Sequence, residues 1–243
     1  MDTKKTYKVE LMPDKRGVRI WGDRDVFYKL HDDLCECWGD WENDGFTDEE
    51  GMSYKGVIAY FSYEVRHAYQ GDRHVKKNGR WVDMHDAETC DQFCDENESF
   101  DVGVDFTWPQ ILFSMAAWWE CYRHKDCPTS LLWQMREIEA GVDAMLKKVC
   151  NSGEYDLMEP YLHGAIYAAN PCLRHVFEQV EYDYYRTSRL KRASMKKLAS
   201  FFKYAVYNSP EYAELYDTLQ RNAAKLGCAI HHLHLDPNLY GNK

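Results

Sequence analysis

Between Phe100 and Trp119 the chain changes its hydrophobic period, and no other stretch constrains the fold as tightly. Phe100, Val102, Val104 and Phe106 alternate with Asp101, Gly103 and Asp105, which predicts a strand with one buried face. Pro109 then opens a helix, because proline in the first turn forfeits no hydrogen bond. Ile111 to Trp119 is apolar around most of its circumference, so this helix is expected at the centre of the molecule.

Before that junction the chain mixes short β signals with helices; after it nearly everything reads as helix. Tyr7 to Glu10 and Val18 to Trp21 flank Pro13-Asp14-Lys15-Arg16-Gly17, an opening hairpin whose turn dihedrals Pro and Gly are expected to supply. Asp23 caps a helix through about Cys37. Ile58, Phe61, Val65 and Ala68 recur at helical spacing, and Gly71 sits where a left-handed residue closes that helix. The β-rich composition of Val57 to Val65 leaves a strand as an alternative there. His74 to Lys76 and Arg80 to Val82 straddle Asn78-Gly79, a hairpin signal. Leu131, Met135, Ile138, Val142, Met145 and Val149 step by fours and threes, the seam of a helix lying along another helix. Further helices are expected at Asn170-Pro171, near Ser188 and at Ser209-Pro210, the last ending at Gly227, with Cys228 to Leu235 as a final strand. The expected fold is α+β and predominantly helical, in a single domain spanning 1–243. Small N-terminal hairpins in an antiparallel sheet with two helices (1–107) pack against a C-terminal antiparallel helical bundle (108–243).

With 45% hydrophobic residues in 243, the chain can bury a substantial core. A net charge of −10 argues against whole-surface attraction to nucleic acid or an anionic membrane. The acid-rich stretches 31–50 and 83–105 read as solvated surface, whereas Arg186 to Lys203 holds basic residues and no acid. The start has no apolar leader and Phe113 to Trp119 is too short to span a bilayer, so a cytoplasmic protein is expected. Nine cysteines without a paired CxxC framework suit reduced thiols.

Four constellations carry polar chemistry. The first is Glu64, Arg66, His67, Gln70, Asp72 and Arg73 at a predicted helix end, with Trp108 as companion. Here His67 is a candidate general acid or base beside Glu64 or Asp72, while Arg66, Gln70, Arg73 and Trp108 are candidates for holding an anionic ligand. The competing reading is a salt-bridge network that fixes the helix end. Glu64-x-x-His67 has di-metal ligand spacing but lacks the second copy such a site needs. The second comprises Cys228, His232 and His234, where a strand would put both histidines on one face as metal ligands, against solvated tail histidines. The third, Asp40-x-Glu42-x-Asp44-Gly45, starts like a calcium loop and fails at the twelfth position, Gly51. The fourth is a basic stripe, Arg189, Arg192 and Lys196, suited to a nucleic-acid backbone, to the acidic loops of a second copy, or to solvent.

Gly17-Val18-Arg19-Ile20-Trp21-Gly22-Asp23, Tyr63 to Arg73 and Phe106 to Phe113 occur in an order and spacing that resemble an uncharacterised bacterial family from Firmicutes, a domain of unknown function. The resemblance implies one cytoplasmic domain with no assigned activity and no known cofactor, and it supplies no catalytic residues to carry over. Convergent polar residues at the Arg66 to Arg73 corner, without a recognisable nucleophile, base or metal set, make non-enzymatic binding or interaction the expected function. The alternatives are an enzyme using His67 with Arg66 and Arg73 on an anionic substrate, and a nucleic-acid-associated regulator using the basic helix 186–203. No cofactor is expected. Homo-oligomerisation through the acidic loops and basic helix is the partner envisaged; nucleic acid and membrane are not.

Overall fold

The computed structural model describes residues 6–38, 54–95, 98–124, 127–170, 172–188 and 195–233. Five strands, β1 (Lys8–Leu11), β2 (Gly17–Asp23), β3 (His74–Lys77), β4 (Arg80–Trp81) and β5 (Asp101–Thr107), form an antiparallel sheet in the order β1-β2-β5-β3-β4. Helices α1 (Arg24–Trp38), α2 (Tyr54–Tyr69) and α3 (Ala87–Cys94) accompany the sheet. Then follow α4 (Trp108–His124), α5 (Thr129–Val149), α6 (Ser152–Leu162), α7 (Leu173–Ser188), α8 (Met195–Phe201) and α9 (Pro210–Leu226), with 3-10 turns at Phe202–Ala205 and Ile230–His232. This is the α+β, predominantly helical fold that the sequence predicts.

The alternation in β5 sets the sheet's two faces. Val102 pairs with Val75, Val104 with Ile20 and Phe106 with Val18, all buried under the helices. The opposite face is a polar and aromatic lattice. Arg19 grips Asp105 through two hydrogen bonds of 2.5 and 2.8 Å, His74 reaches the same carboxylate at 3.0 Å, and the Lys76 ammonium sits 3.8 Å above the Trp21 ring. Burial alone would raise the Asp105 pKa; the hydrogen bonds from Arg19 and His74 outweigh it and hold it down to about 2. Trp21 lies flat across Gly103, where an added Cβ would come within 2.6 Å of the indole.

Beneath the sheet, Phe61 of α2 stacks on Phe106 (4.6 Å between centroids) and meets Trp118 edge-on (4.4 Å). Trp108, Ile111, Leu112, Phe113, Met115 and Trp118 are at most 1% exposed, so α4 occupies the central position its composition requires. The α5 seam is likewise buried from Leu131 to Met145. Asp33, only 2% exposed, accepts from Lys29 (2.8 Å) and Gln134 (2.6 Å), and Gln134 accepts from the Tyr7 hydroxyl, which ties α1, α5 and the start of β1 together.

Val57 to Val65 is helix, as the spacing of its apolar residues predicts, because Val57, Ile58, Phe61 and Val65 share one buried stripe of α2; the strand alternative falls away. Several expectations are corrected. In the first hairpin the left-handed residue is Lys15 (φ 60°), not glycine; Gly17 is required because a Cβ there would collide with the Phe106 carbonyl. The acidic stretch after Asp83 contains α3, which Asp86 caps by accepting from the Thr89 N–H and which Phe93 anchors against Phe100. Helix α6 has a full capping box between Asn151 and Glu154, a signal present in the sequence as N-x-x-E. Ser188 ends α7 instead of starting a helix. Ser209, Pro210 and left-handed Gly227 bound α9 as expected, but Cys228 to Leu233 continues into a 3-10 turn, not a strand.

Gly103→Ala should lower the unfolding free energy by about 1–3 kcal/mol through forced displacement of Trp21. Urea denaturation of the two proteins checks this; equal midpoints would show that the indole moves aside without cost.

Candidate functional site

The strand-to-helix junction carries a second capping box. Thr107 Oγ1 accepts from the Gln110 N–H (3.3 Å), while Gln110 Oε1 accepts from the Thr107 N–H (2.8 Å). With its oxygen so occupied, the Gln110 amide is oriented with Nε2 outward as a donor. It donates to the Tyr60 hydroxyl of α2 (3.0 Å) and also hydrogen-bonds the Glu181 carboxylate of α7. Three helices thereby meet at one amide.

Beside this amide lies a cleft of about 390 Å³, lined by Gly56, Val57 and Tyr60 from α2 and by Arg174, Phe177, Glu178 and Glu181 from α7. The four α7 residues stand at positions i, i+3, i+4 and i+7 and so share a helical face. The Tyr60 and Phe177 rings stand 6.3 Å apart in a tilted arrangement. At the rim, the Arg174 guanidinium pairs with Glu178 at 2.7 Å. Glu181 differs: its Oε1 is buried without a hydrogen-bond partner. Burial pushes this carboxyl up to about 7, the Gln110 hydrogen bond opposes, and the Glu178 charge adds a further rise. Burial, with the charges of Glu64 and Glu181, also raises the Tyr60 hydroxyl, so it stays protonated as a donor.

The Arg66 to Arg73 corner is built differently. Gly71 (φ 89°) closes α2 in a Schellman arrangement, with the Asp72 N–H donating to the His67 carbonyl (2.9 Å) and the Gly71 N–H to that of Ala68 (3.0 Å). His67 Nδ1 lies 2.7 Å from Asp72, and His67 Nε2 is buried without a partner. Arg73 grips Glu64 bidentately at 2.9 and 3.2 Å, and Arg66 lies over the Tyr63 ring at 5.0 Å. Gln70 is exposed. The structure thus brings Glu64, His67, Asp72 and Arg73 together but leaves Trp108 elsewhere. His74 pairs with Gly103, five residues short of Trp108, about 16 Å along the strand. Trp108 instead binds the first hairpin: its indole N–H donates to the Lys15 carbonyl (3.1 Å) and its backbone N–H to that of Arg16 (3.1 Å).

Residues 8–242 match the family described as a domain of unknown function, DUF6904. The chain belongs to that family. No curated protein and no solved structure matches it. The match spans sheet and helices alike, so the cleft and the corner both fall within the family's extent. No helix among the described residues is long and apolar enough to cross a membrane.

The remaining candidates fare as follows. His232 lies in the 3-10 turn that replaces the expected strand, which removes the alternation meant to align it with His234; His234 lies outside the described residues, as does the calcium-like segment from Asp40. Arg189 and Arg192 also lie outside them, while Lys203 of the same basic segment pairs with Glu211 at 3.5 Å. A cysteine–histidine pairing that the sequence does not suggest occurs in α1, where Cys35 Sγ stands 3.7 Å from His31 Nε2 across one helical turn. The cleft residues Tyr60, Gln110 and Glu181 also escape the sequence reading. Their visible signals are Thr107-x-x-Gln110 and the spacing of Arg174, Phe177, Glu178 and Glu181, and neither distinguishes a cleft from a capped, amphipathic helix.

Because Glu181 binds its proton more tightly in the folded state (about 7, against 4.5), it imposes no penalty below about pH 4.5, an increasing one as the pH rises, and the full one above 7. Glu181→Gln should therefore stabilise the protein by roughly 1–3 kcal/mol at pH 8, with the gain fading towards pH 4.5. Urea unfolding at the two pH values tests the sign; a gain that is larger at low pH contradicts it.

Proposed function

We propose that this chain is a non-enzymatic binding protein whose working site is the cleft between α2 and α7, and that its ligand presents a small organic cation, an amine or guanidine. The observation that carries this reading is the Glu181 Oε1, buried without a partner beside the Tyr60 and Phe177 rings. The neighbouring Glu178 already has Arg174, so Glu181 is the lining carboxyl that lacks a cation among the contacts described. A ligand ammonium donating to Oε1 would relieve the desolvation of that carboxylate and lie against aromatic faces, an arrangement worth about 0.5–2 kcal/mol beyond the ion pair. Gln110 and the protonated Tyr60 hydroxyl would fix the orientation of a polar group beside it.

An enzymatic reading draws support from one feature, a carboxyl poised near neutral pH, which suits proton transfer. It has less support at His67, where Asp72 takes one ring nitrogen and the other is buried. Arg66 and Arg73 are likewise engaged, on Tyr63 and Glu64.

Thermal-shift screening with a panel of primary amines, guanidines and carboxylates at pH 8, followed by calorimetry on the hits, tests the proposal. Amines or guanidines should raise the melting temperature, with affinity reduced at least ~10-fold by Glu181→Gln, the equivalent of ~1.4 kcal/mol. Carboxylates binding in their place, or unaltered amine affinity in the variant, would overturn it.

A further inference from the structure

Three cysteines converge where Cys37 meets Cys121 across 84 residues of sequence and Cys127 lies six residues further on. Cys37 lies in the last turn of α1, Cys121 in the last turn of α4, and Cys127 just ahead of α5. Their sulfurs all lie within 4.8 Å of one another, with Cys121 and Cys127 3.9 Å apart. A disulfide requires about 2.05 Å. Zinc–thiolate bonds of roughly 2.3 Å set tetrahedrally place sulfurs about 3.8 Å apart, so the Cys121–Cys127 spacing fits two ligands of one ion and Cys37 lies within reach of the same point.

From this geometry we infer that Cys37, Cys121 and Cys127 form a three-thiolate site for a thiophilic metal ion, with Zn²⁺ as the ion of first choice. Two features beyond spacing support it. The helix ends that supply Cys37 and Cys121 carry the negative end of the helix dipole, which favours a cation. In the metal-free state the Cys121 thiol donates to the Cys37 carbonyl at 3.5 Å, a hydrogen bond that the ion would replace. Cys37 and Cys121 are buried while Cys127 is partly exposed, so two ligands are preorganised and the third opens a route for the ion. On binding, an ion takes the place of the thiol protons and cancels the repulsion among the thiolates. Softness of the ligands selects zinc, copper(I) or cadmium over magnesium or calcium. Three protein ligands leave one coordination position for water or an external donor. The other cysteines do not share this arrangement: Cys35 contacts His31 and Ser62, and Cys90 and Cys94 are exposed on α3.

The test uses the full chain, purified under reductant and stripped of metal, then titrated with Zn²⁺ against a chromogenic chelator and separately with Co²⁺ as a spectroscopic probe. One Zn²⁺ per chain and a thiolate-to-cobalt charge-transfer band are expected. Cys127→Ser, the least buried position, should weaken zinc by more than the roughly 10–100-fold that loss of an outer-shell partner costs, and should diminish the cobalt band. The double variant Cys90→Ser with Cys94→Ser should leave both readouts unchanged. Circular dichroism of metal-free Cys127→Ser separates lost ligation from lost folding; should it be unfolded, chemical modification mapping on the parent replaces it, with zinc protecting Cys37, Cys121 and Cys127 from alkylation. Absence of zinc uptake by the reduced parent, or equal zinc protection of Cys90 and Cys94, would overturn the assignment.

Discussion

The structure depends on the Thr107–Gln110 junction, where the central strand becomes the central helix. β5 is paired on both sides and α4 is covered on all sides, so a change of direction between them leaves little room for error. Thr107 and Gln110 satisfy each other's backbone N–H groups at a place where water cannot do so readily, and Trp108 pins the first hairpin to the same point. Tyr184 of α7 adds a hydrogen bond to the Arg16 carbonyl (2.8 Å), bringing the helical part onto that turn. One short segment thus fixes the hairpin, the sheet and the bundle relative to one another.

The same capping box creates the cleft's polar pole. A glutamine whose oxygen is committed to capping can present only donors, and those donors meet Tyr60 and Glu181. The cost is a carboxyl left with one oxygen unsatisfied in a partly apolar setting. Proteins tolerate such groups where something else, a proton or a ligand, completes them. The Arg66 to Arg73 corner shows the opposite economy: the glycine ends the helix, and Asp72 and Arg73 fold back onto His67 and Glu64. Its concentration of charged residues reflects charges paired with each other across a helix terminus.

The elements with strong periodicity were legible in the sequence. The alternation from Phe100 to Phe106, the all-round apolar run of α4 and the fours and threes of α5 each follow from a face that must be buried, and each lies where expected. Local chemistry was legible too: Asn78-Gly79, Gly71 and Ser209-Pro210 act through their own dihedrals and caps. α3 was hidden because its buried apolar residue, Phe93, gains its value by reaching Phe100 and Arg24 across connections, and alternation over the few residues of the final turn does not fix a strand without a partner.

By itself, then, the sequence determined where faces are apolar, where helices start and stop, and that the molecule is helical with a small antiparallel sheet, because these depend on neighbours within a turn or a pleat. Tertiary structure alone decided which polar groups meet. Tyr60, Gln110 and Glu181 are joined across 50 and more residues, and Cys37, Cys121 and Cys127 across 84. No local pattern encodes such encounters; the first arises from the packing of α2, α4 and α7 at the strand-to-helix junction, the second from the packing of α1 against the far end of α4.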